Sequence, residues 1–210
     1  MATVAKTGRP SEKTEDKAYP LSADEFQRIV DAEILPPDRR IYLWDGKLFE
    51  KMGKLQPHAI AQNKLNTILV KAVPPGWHIS PENPLRVDTR SVPLPDMAVV
   101  RGEPDDYPKT PPHAEDLALL VEVMYTSRKK DLRDHLQVYA AAGVRAYWVI
   151  DLKGRVIRCF RQPVKALKGA GGPGYETDTR HGPGDRVELE IPGSDPVRIR
   201  VDDILPADAP

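Results

Sequence analysis

The pattern of apolar residues over Leu117–Asp151 predicts a strand–helix–strand unit. Residues Leu117–Met124 are apolar except for Glu122, which is typical of a short strand buried on both faces. A polar turn follows, and then Leu132, Leu136 and Tyr139 recur at helical spacing. Strand character returns at Arg145–Ile150. Short connections between these elements predict a βαβ unit with two parallel strands.

Further elements flank this unit. Ser22 and Glu25 have the spacing of a capping box at the start of a short helix. Asp45-Gly46 separates two apolar-rich runs and predicts a β-hairpin. The remaining predicted elements are a helix over His58–Val73, strands over Trp77–Ser80, Met97–Val100 and Val156–Phe160, and a final hairpin formed by Val187–Ile191 and Val197–Val201. The pattern indicates an α/β (α+β) protein with hairpins at both ends.

The distribution of polar and small residues predicts one domain. Residues 1–19 are polar and poor in large apolar groups, so we expect a disordered tail, followed by a single domain over 20–205. Residues 163–184 carry several glycines and few large apolar groups, which predicts a mobile surface loop. Residues 206–210 form the predicted C-terminal tail.

Composition narrows the class of protein. The 31 basic and 31 acidic residues cancel, so a nucleic-acid partner would have to be bound through a local basic patch. A single cysteine, Cys159, excludes an intramolecular disulfide and fits a reducing compartment. The sequence has no apolar run of membrane-spanning length and no signal-peptide core. A cytoplasmic protein without a membrane partner is the expectation.

Glu122 is the residue with the most chemical information. A carboxylate in a buried strand is costly unless it is neutral, paired with a cation or bound to a metal. One interpretation is a structural Glu paired with an arginine, and the other is a metal ligand or catalytic acid. Asp96, at the start of another apolar strand, could share Mg²⁺ with Glu122 and the backbone carbonyl of Val123, while Glu50 lies on a hairpin strand. A basic cluster could hold a phosphodiester and consists of Arg128, Lys129, Lys130 and Arg133.

Five ordered motifs resemble those of the Uma2 family, a restriction-endonuclease-like group within the PD-(D/E)XK nuclease superfamily. They are LWDGKLFEKM followed by His58, PLPDMAVVRG, LLVEVMYTSRKKD, Tyr139, and AAGVRAYWVID, and they span about residues 21 to 162. The resemblance implies a restriction-endonuclease-like mixed central sheet flanked by helices. It also implies metal-dependent cleavage of nucleic acid, with DNA as the expected partner and Mg²⁺ or Mn²⁺ as the cofactor.

The resemblance assigns roles to individual residues and shows one departure. Asp96 and Glu122 match the two family acids, and Glu50 matches a glutamate of the first hairpin. The family lysine that follows on the next helix is replaced here by His135, which could orient or deprotonate the attacking water. Three hypotheses therefore remain: a Mg²⁺-dependent endonuclease, a catalytically impaired module that binds nucleic acid or a protein, or a metal-dependent hydrolase that acts on a non-nucleic phosphate ester. Edge-strand logic adds a homodimer through Val187–Val201 as a further hypothesis.

Overall fold

The computed structural model describes residues 17–125, 129–169 and 171–207, and for residues 129–131 it describes the backbone alone. Four α-helices and ten strands occur in these ranges. The helices are α1 (Ala23–Asp31), α2 (Gln56–Ala72), α3 (Lys129–Ala141) and α4 (Val201–Ile204). The strands are β1 (Ile41–Trp44), β2 (Lys47–Glu50), β3 (Trp77–Ser80), β4 (Met97–Arg101), β5 (Leu117–Met124), β6 (Ala146–Asp151), β7 (Val156–Val164), β8 (Gly174–His181), β9 (Arg186–Leu189) and β10 (Val197–Arg200).

A mixed six-stranded sheet forms the centre of the molecule. Its strand order is β3-β4-β5-β6-β7-β8, and β5 and β6 pair in parallel whereas the other neighbours are antiparallel. The predicted parallel βαβ unit is thus confirmed, with α3 as its crossover helix. The predicted hairpins at both ends are also present, as β1–β2 and β9–β10.

Alternation along the strands divides the core between the two faces of this sheet. On β6, Trp148 and Ile150 join the cluster that contains Leu65 and Leu69 of α2. Tyr147 and Val149 of the same strand join the cluster that contains Tyr139 of α3. Because successive side chains of a strand point to opposite faces, α2 and α3 cover opposite sides of the sheet. On β5, Leu120 belongs to the cluster on the α3 side, so Glu122, two residues further along the strand, also points toward α3.

Turn and cap chemistry follows the sequence closely in two places. The capping box is formed, with Ser22 and Glu25 exchanging hydrogen bonds at the start of α1. Asp45 and Gly46 both have positive φ, at 45° and 76°, as a two-residue hairpin turn of the primed type requires. A Cβ on Gly46 would lie 2.6 Å from Cβ of Pro20, so only glycine fits there without displacing its neighbour.

The prediction of a mobile loop over residues 163–184 is wrong for much of that segment. Residues Gly174–His181 form β8, which pairs along β7 at the edge of the central sheet. Tyr175 is buried against Phe160 and Tyr147 and anchors the strand. The sequence pattern was misleading because Tyr175 is the one large apolar residue in the strand, and the rest is polar and mostly exposed, as an edge strand permits.

The chain ends also differ from the predicted boundaries. Tyr19, assigned to the N-terminal tail, is exposed but donates a hydrogen bond to Glu25 at 2.7 Å. Pro206, assigned to the C-terminal tail, is buried, and its carbonyl accepts a hydrogen bond from Arg155 at 3.1 Å. The rest of the predicted N-terminal tail, residues 1–16, lies outside the described residues. Across the ranges that the structure describes, no helix combines the length and apolarity needed to cross a membrane.

Candidate active site

The register of β4 and β5 brings the two predicted acids together. Met97 pairs with Val121 across these antiparallel strands, so one further step of the same register sets Asp96 opposite Glu122. Residues opposite each other in an antiparallel pair have Cβ atoms about 5 Å apart. Both residues also line one cleft of about 350 Å³ at this end of the sheet. The predicted convergence of the two carboxylates is therefore found.

Asp96 is almost completely enclosed, with 3% of its side chain exposed, and both of its carboxylate oxygens are engaged. Oδ1 accepts a hydrogen bond from Lys51 Nζ at 2.7 Å. Oδ2 accepts one from the backbone amide of Val123 at 2.7 Å and lies 3.0 Å from Nε2 of His58. Gln62 of α2 donates to the backbone carbonyl of Asp96 at 2.7 Å. Four groups from α2, β5 and the segment that follows β2 thus fix this acid.

These contacts keep Asp96 ionised. Burial by itself would raise the pKa of Asp96, because a carboxylate is poorly solvated inside the protein. The hydrogen bond with His58 and the positive charge of Lys51 outweigh that effect and lower the pKa to about 2. Asp96 is therefore a carboxylate at any pH at which the protein is expected to work.

Glu122 has the opposite electrostatic environment. Its Oε1 accepts a hydrogen bond from the hydroxyl of Tyr139 on α3 at 3.1 Å. Burial, followed by the negative charge of Asp96, raises the pKa of Glu122 to about 8. Two neighbouring carboxylates with pKa values driven apart are typical of a functional site, because the protein tolerates a second negative charge there only poorly.

His135 lies at the same cleft, as the hypothesis of a role in water activation requires. It is on α3, one helical turn before Tyr139, and both lie toward the end of β5 that carries Glu122. Its ring centroid is 4.6 Å from that of Trp44 in an edge-on contact and 5.7 Å from that of Tyr139. Aromatic packing thus holds the imidazole ring at the cleft that Asp96 and Glu122 line.

Lys51 is the site residue that sequence reasoning missed. It follows β2 directly, its backbone amide bonds to the carbonyl of Arg40, and its ammonium also donates to the carbonyl of Leu94 at 2.6 Å. A lysine ammonium thus lies beside Asp96, although the lysine that the family resemblance expects on α3 is replaced by His135. The alternation of side chains along a strand indicates that Glu50 and Lys51 point to opposite sides, but it does not tell which of the two faces the cleft.

Glu50 is accordingly not part of the site. Its carboxylate is half exposed and lies 3.5 Å from Nη1 of Arg39 on the outer side of the hairpin. This placement corrects the expectation that Glu50 supports the metal site, since its neighbour Lys51 is the residue that enters the cleft. His58, the histidine that follows the first motif, contacts Asp96.

The other predicted contacts are only partly described. Val123 lines the cleft, and its amide donates to Asp96, as given above. Of the predicted phosphate-binding cluster, Arg133 is exposed on α3. Arg128 and the side chains of Lys129 and Lys130 lie outside the described residues.

A larger groove lies elsewhere and has different chemistry. It measures about 860 Å³ and runs between α1, β3 and the proline-rich segment that follows β4. Its lining is mostly apolar, and Asp31 is the one carboxylate among its lining residues, all of which are described. This groove has the larger volume, but the smaller cleft is the better candidate active site because charged side chains converge there.

The donor set of the smaller cleft fits a hard divalent cation. In the part of the chain that the structure describes, no three His, Cys, Asp or Glu side chains converge as a complete metal cage. Mg²⁺ and Mn²⁺ do not need one, because they are commonly held by one or two carboxylates with water and substrate oxygens as the other ligands. Burial, followed by the charge of Asp96, raises the pKa of Glu122, so a cation bound between the two acids would favour the ionised form of Glu122.

A mixed sheet with paired acids at the end of neighbouring strands defines a nuclease-like α/β class of protein. A crystal structure described as "a putative nuclease belonging to DUF820" from Anabaena variabilis ATCC 29413 shares this fold, with a TM-score of 0.63 and 16% identity. The match covers 88% of this chain and 97% of that one. The model of the Uma2 family, described as "Putative restriction endonuclease", matches residues 23–193, and the chain belongs to this family. No curated protein matches the chain.

Proposed function

We propose that this protein is a Mg²⁺- or Mn²⁺-dependent endonuclease that hydrolyses phosphodiester bonds of DNA. One observation carries the proposal: Asp96 and Glu122 meet in a single cleft together with the ammonium of Lys51. Membership of the Uma2 family supports the class of reaction. The predicted Mg²⁺ dependence and DNA substrate are parts of this proposal.

Asp96 and Glu122 would hold the cation, with the carbonyl of Val123 as the third protein group in reach of the cleft. When bound, a divalent cation there would lower the pKa of a water molecule and offset charge on the phosphate. Asp96 is suited to this role because its pKa of about 2 keeps it ionised. Glu122 is oriented by the hydroxyl of Tyr139, which burial and the nearby Glu122 hold in its neutral, donating form by raising its pKa.

The remaining polar groups of the cleft provide acid–base and electrostatic functions. His135 is suited to accept the proton of the attacking water near neutral pH, and Trp44 and Tyr139 fix its ring. Lys51 carries a permanent positive charge beside Asp96, where it would stabilise the negative charge that develops on the phosphate oxygens. Lys54, which also lines the cleft, is placed to contact an adjoining phosphate.

A second candidate is a module that retains the nuclease fold for binding alone. The engagement of both Asp96 oxygens favours it, because Lys51 and His58 already offset the charge of this carboxylate. In that case the cleft would need no metal. Titration calorimetry with Mn²⁺ separates the two candidates, since the binding module predicts no heat of binding at millimolar metal.

The test of the nuclease proposal is cleavage of supercoiled plasmid DNA with Mg²⁺, with Mn²⁺ and with EDTA. The wild-type protein is expected to nick the plasmid only when metal is present, and Asp96→Asn is expected to remove this activity. Glu50→Gln serves as the matched control, because it neutralises an acid of the neighbouring hairpin that lies outside the cleft. Equal cleavage by Asp96→Asn and wild type would refute the assignment.

A further inference from the structure

Lys51 lies between two carboxylates from different parts of the chain. Its ammonium is 2.7 Å from Oδ1 of Asp96 and 3.8 Å from Oε1 of Glu82. The lysine side chain is mostly enclosed, with 18% exposed, and that of Glu82 is 21% exposed. The ammonium also donates a hydrogen bond to the carbonyl of Leu94 at 2.6 Å, and the contact with Glu82 further restricts a side chain that has four rotatable bonds.

Glu82 forms ion pairs with the basic residues that flank the first hairpin. Its Oε1 lies 2.8 Å from Nη2 of Arg40, and its Oε2 accepts a hydrogen bond from Lys54 Nζ at 2.5 Å. Among the described residues, three cations therefore surround this one carboxylate. Burial would raise the pKa of Glu82, but the hydrogen bond from Lys54 and the ion pairs with Arg40 and Lys51 outweigh it and lower the pKa, so this residue stays charged.

The backbone of Glu82 indicates that its position is imposed by its surroundings. Its φ is +56°, in the left-handed region that non-glycine residues rarely occupy. The residue stands in the turn Pro81-Glu82-Asn83-Pro84 that follows β3, and Asn83 ties this turn back to Ser80 at 3.1 Å. A glutamate in this conformation is tolerated when its contacts compensate for the local strain.

We propose that Glu82 is a positioning residue of the active site, which holds Lys51 against Asp96 and keeps Lys54 at the edge of the cleft. This inference rests on the proposed nuclease function and assigns a part of that site to a residue outside the motifs of the sequence. Glu82 acts through Lys51 and does not contact the reacting phosphate. Without its charge, the three cations repel one another, and Lys51 loses one of the three contacts that restrict its ammonium.

The test is a double-mutant cycle with Glu82→Gln, Lys51→Met and the double variant, measured as kcat and KM for plasmid cleavage with Mn²⁺. Glu82→Gln is expected to lower kcat by about 10- to 100-fold, the cost of a misplaced catalytic group, with a smaller change in KM. In the Lys51→Met background the same substitution is expected to cost nothing further in kcat. Glu50→Gln, which neutralises an ion-paired acid of the same hairpin away from the cleft, is the matched control and is expected to leave kcat unchanged.

Two results would overturn the inference. One is an equal loss of kcat from Glu82→Gln with and without Lys51, which would indicate a merely structural role. The other is an unchanged kcat with tighter DNA binding, which would mean that Glu82 only screens its basic neighbours.

The same four proteins separate this inference from the proposed function. If the wild type cleaves no DNA with any divalent metal, the nuclease proposal fails on its own. Whether Glu82 positions Lys51 is then tested by urea unfolding of the four proteins without metal. A coupling of at least about threefold in the unfolding equilibrium constant supports the contact between Glu82 and Lys51, and additivity overturns it.

Discussion

Replacing Lys51 by methionine tests whether the charge of Asp96 depends on this lysine. The substitution keeps most of the length of the side chain and removes the ammonium. Oδ1 of Asp96 then loses its donor at 2.7 Å, whereas Oδ2 keeps the amide of Val123 and the ring of His58. Because Asp96 has only 3% of its side chain exposed, water cannot readily replace the lost partner.

The magnitude follows from the burial of the remaining charge. Breaking a buried ion pair by removing one partner costs about 3–5 kcal/mol, and a hydrogen bond to a charged group contributes about 1.5–3 kcal/mol. Asp96 retains two donors, so we expect Lys51→Met to lower the free energy of unfolding by about 2–4 kcal/mol. Urea denaturation at pH 7 without metal, followed by the fluorescence of the buried Trp148, measures this value.

Lys64→Met is the matched control. The ammonium of Lys64 donates to the carbonyl of Leu205 at 2.7 Å and contacts no carboxylate of the described residues, so its loss is expected to cost about 1 kcal/mol. Adding Asp96→Asn to Lys51→Met should recover part of the lost stability, because the unpaired charge is then gone. A loss in Lys51→Met no larger than that in Lys64→Met would refute the reasoning.

Three further predictions concern stability and reactivity. The pKa of Glu122 in the folded protein, about 8, exceeds its unfolded value of 4.5, so the folded protein binds one more proton than the unfolded chain between these pH values. Without metal, the free energy of unfolding of the wild type should therefore fall, relative to that of Glu122→Gln, by up to about 1.4 kcal/mol per pH unit from pH 5 to 8. A difference between the two proteins that stays constant with pH in urea unfolding would contradict this. Burial raises the pKa of Cys159 to about 12, so its thiol should react with a disulfide reagent at pH 8 only after unfolding, and fast labelling of the folded protein would contradict the assigned burial. Gly46→Ala should lower the free energy of unfolding by about 1–3 kcal/mol, because the Cβ of the alanine would contact Pro20. Gly76→Ala should cost less, because Gly76 also has a positive φ, +86°, but no atom lies near the position of the added Cβ. Equal shifts in the thermal unfolding midpoint would count against the contact with Pro20.

Much of the fold could be predicted because the local and long-range signals agree. The apolar run Leu117–Met124 is β5 residue for residue, and Gly143, with φ of +82°, ends α3 after Ala141. The hairpin turn at Asp45-Gly46 requires two residues with positive φ, which the sequence provides. Strand β8 could not be predicted in this way, because an edge strand needs only one buried anchor and its stabilising bonds come from the backbone of β7.

The acidic residues of the candidate site could be predicted from the sequence, whereas its lysine could not. A carboxylate inside an apolar strand is visible in the sequence, so Glu122 could be selected by its burial cost, whereas Asp96 is indicated by its place at the start of an apolar strand and by the resemblance to the family. Lys51 lies 45 positions from Asp96 in the chain, and nothing in its own neighbourhood marks it among the other basic residues. Only the packing of the first hairpin against the end of the sheet shows that Lys51, and not Glu50, enters the cleft.

The central claim is that Asp96 and Glu122 hold one divalent cation between them, and a calorimetric titration of Mn²⁺ into wild type and Glu122→Gln tests it most directly. The amide oxygen introduced by this substitution can still accept the hydrogen bond from Tyr139, so the variant is expected to stay folded while it loses one ligand charge. We predict one Mn²⁺ per chain in the wild type and an affinity at least about tenfold weaker in the variant, equivalent to about 1.4 kcal/mol. Equal affinity in the two proteins, or no binding to the wild type, would contradict the account.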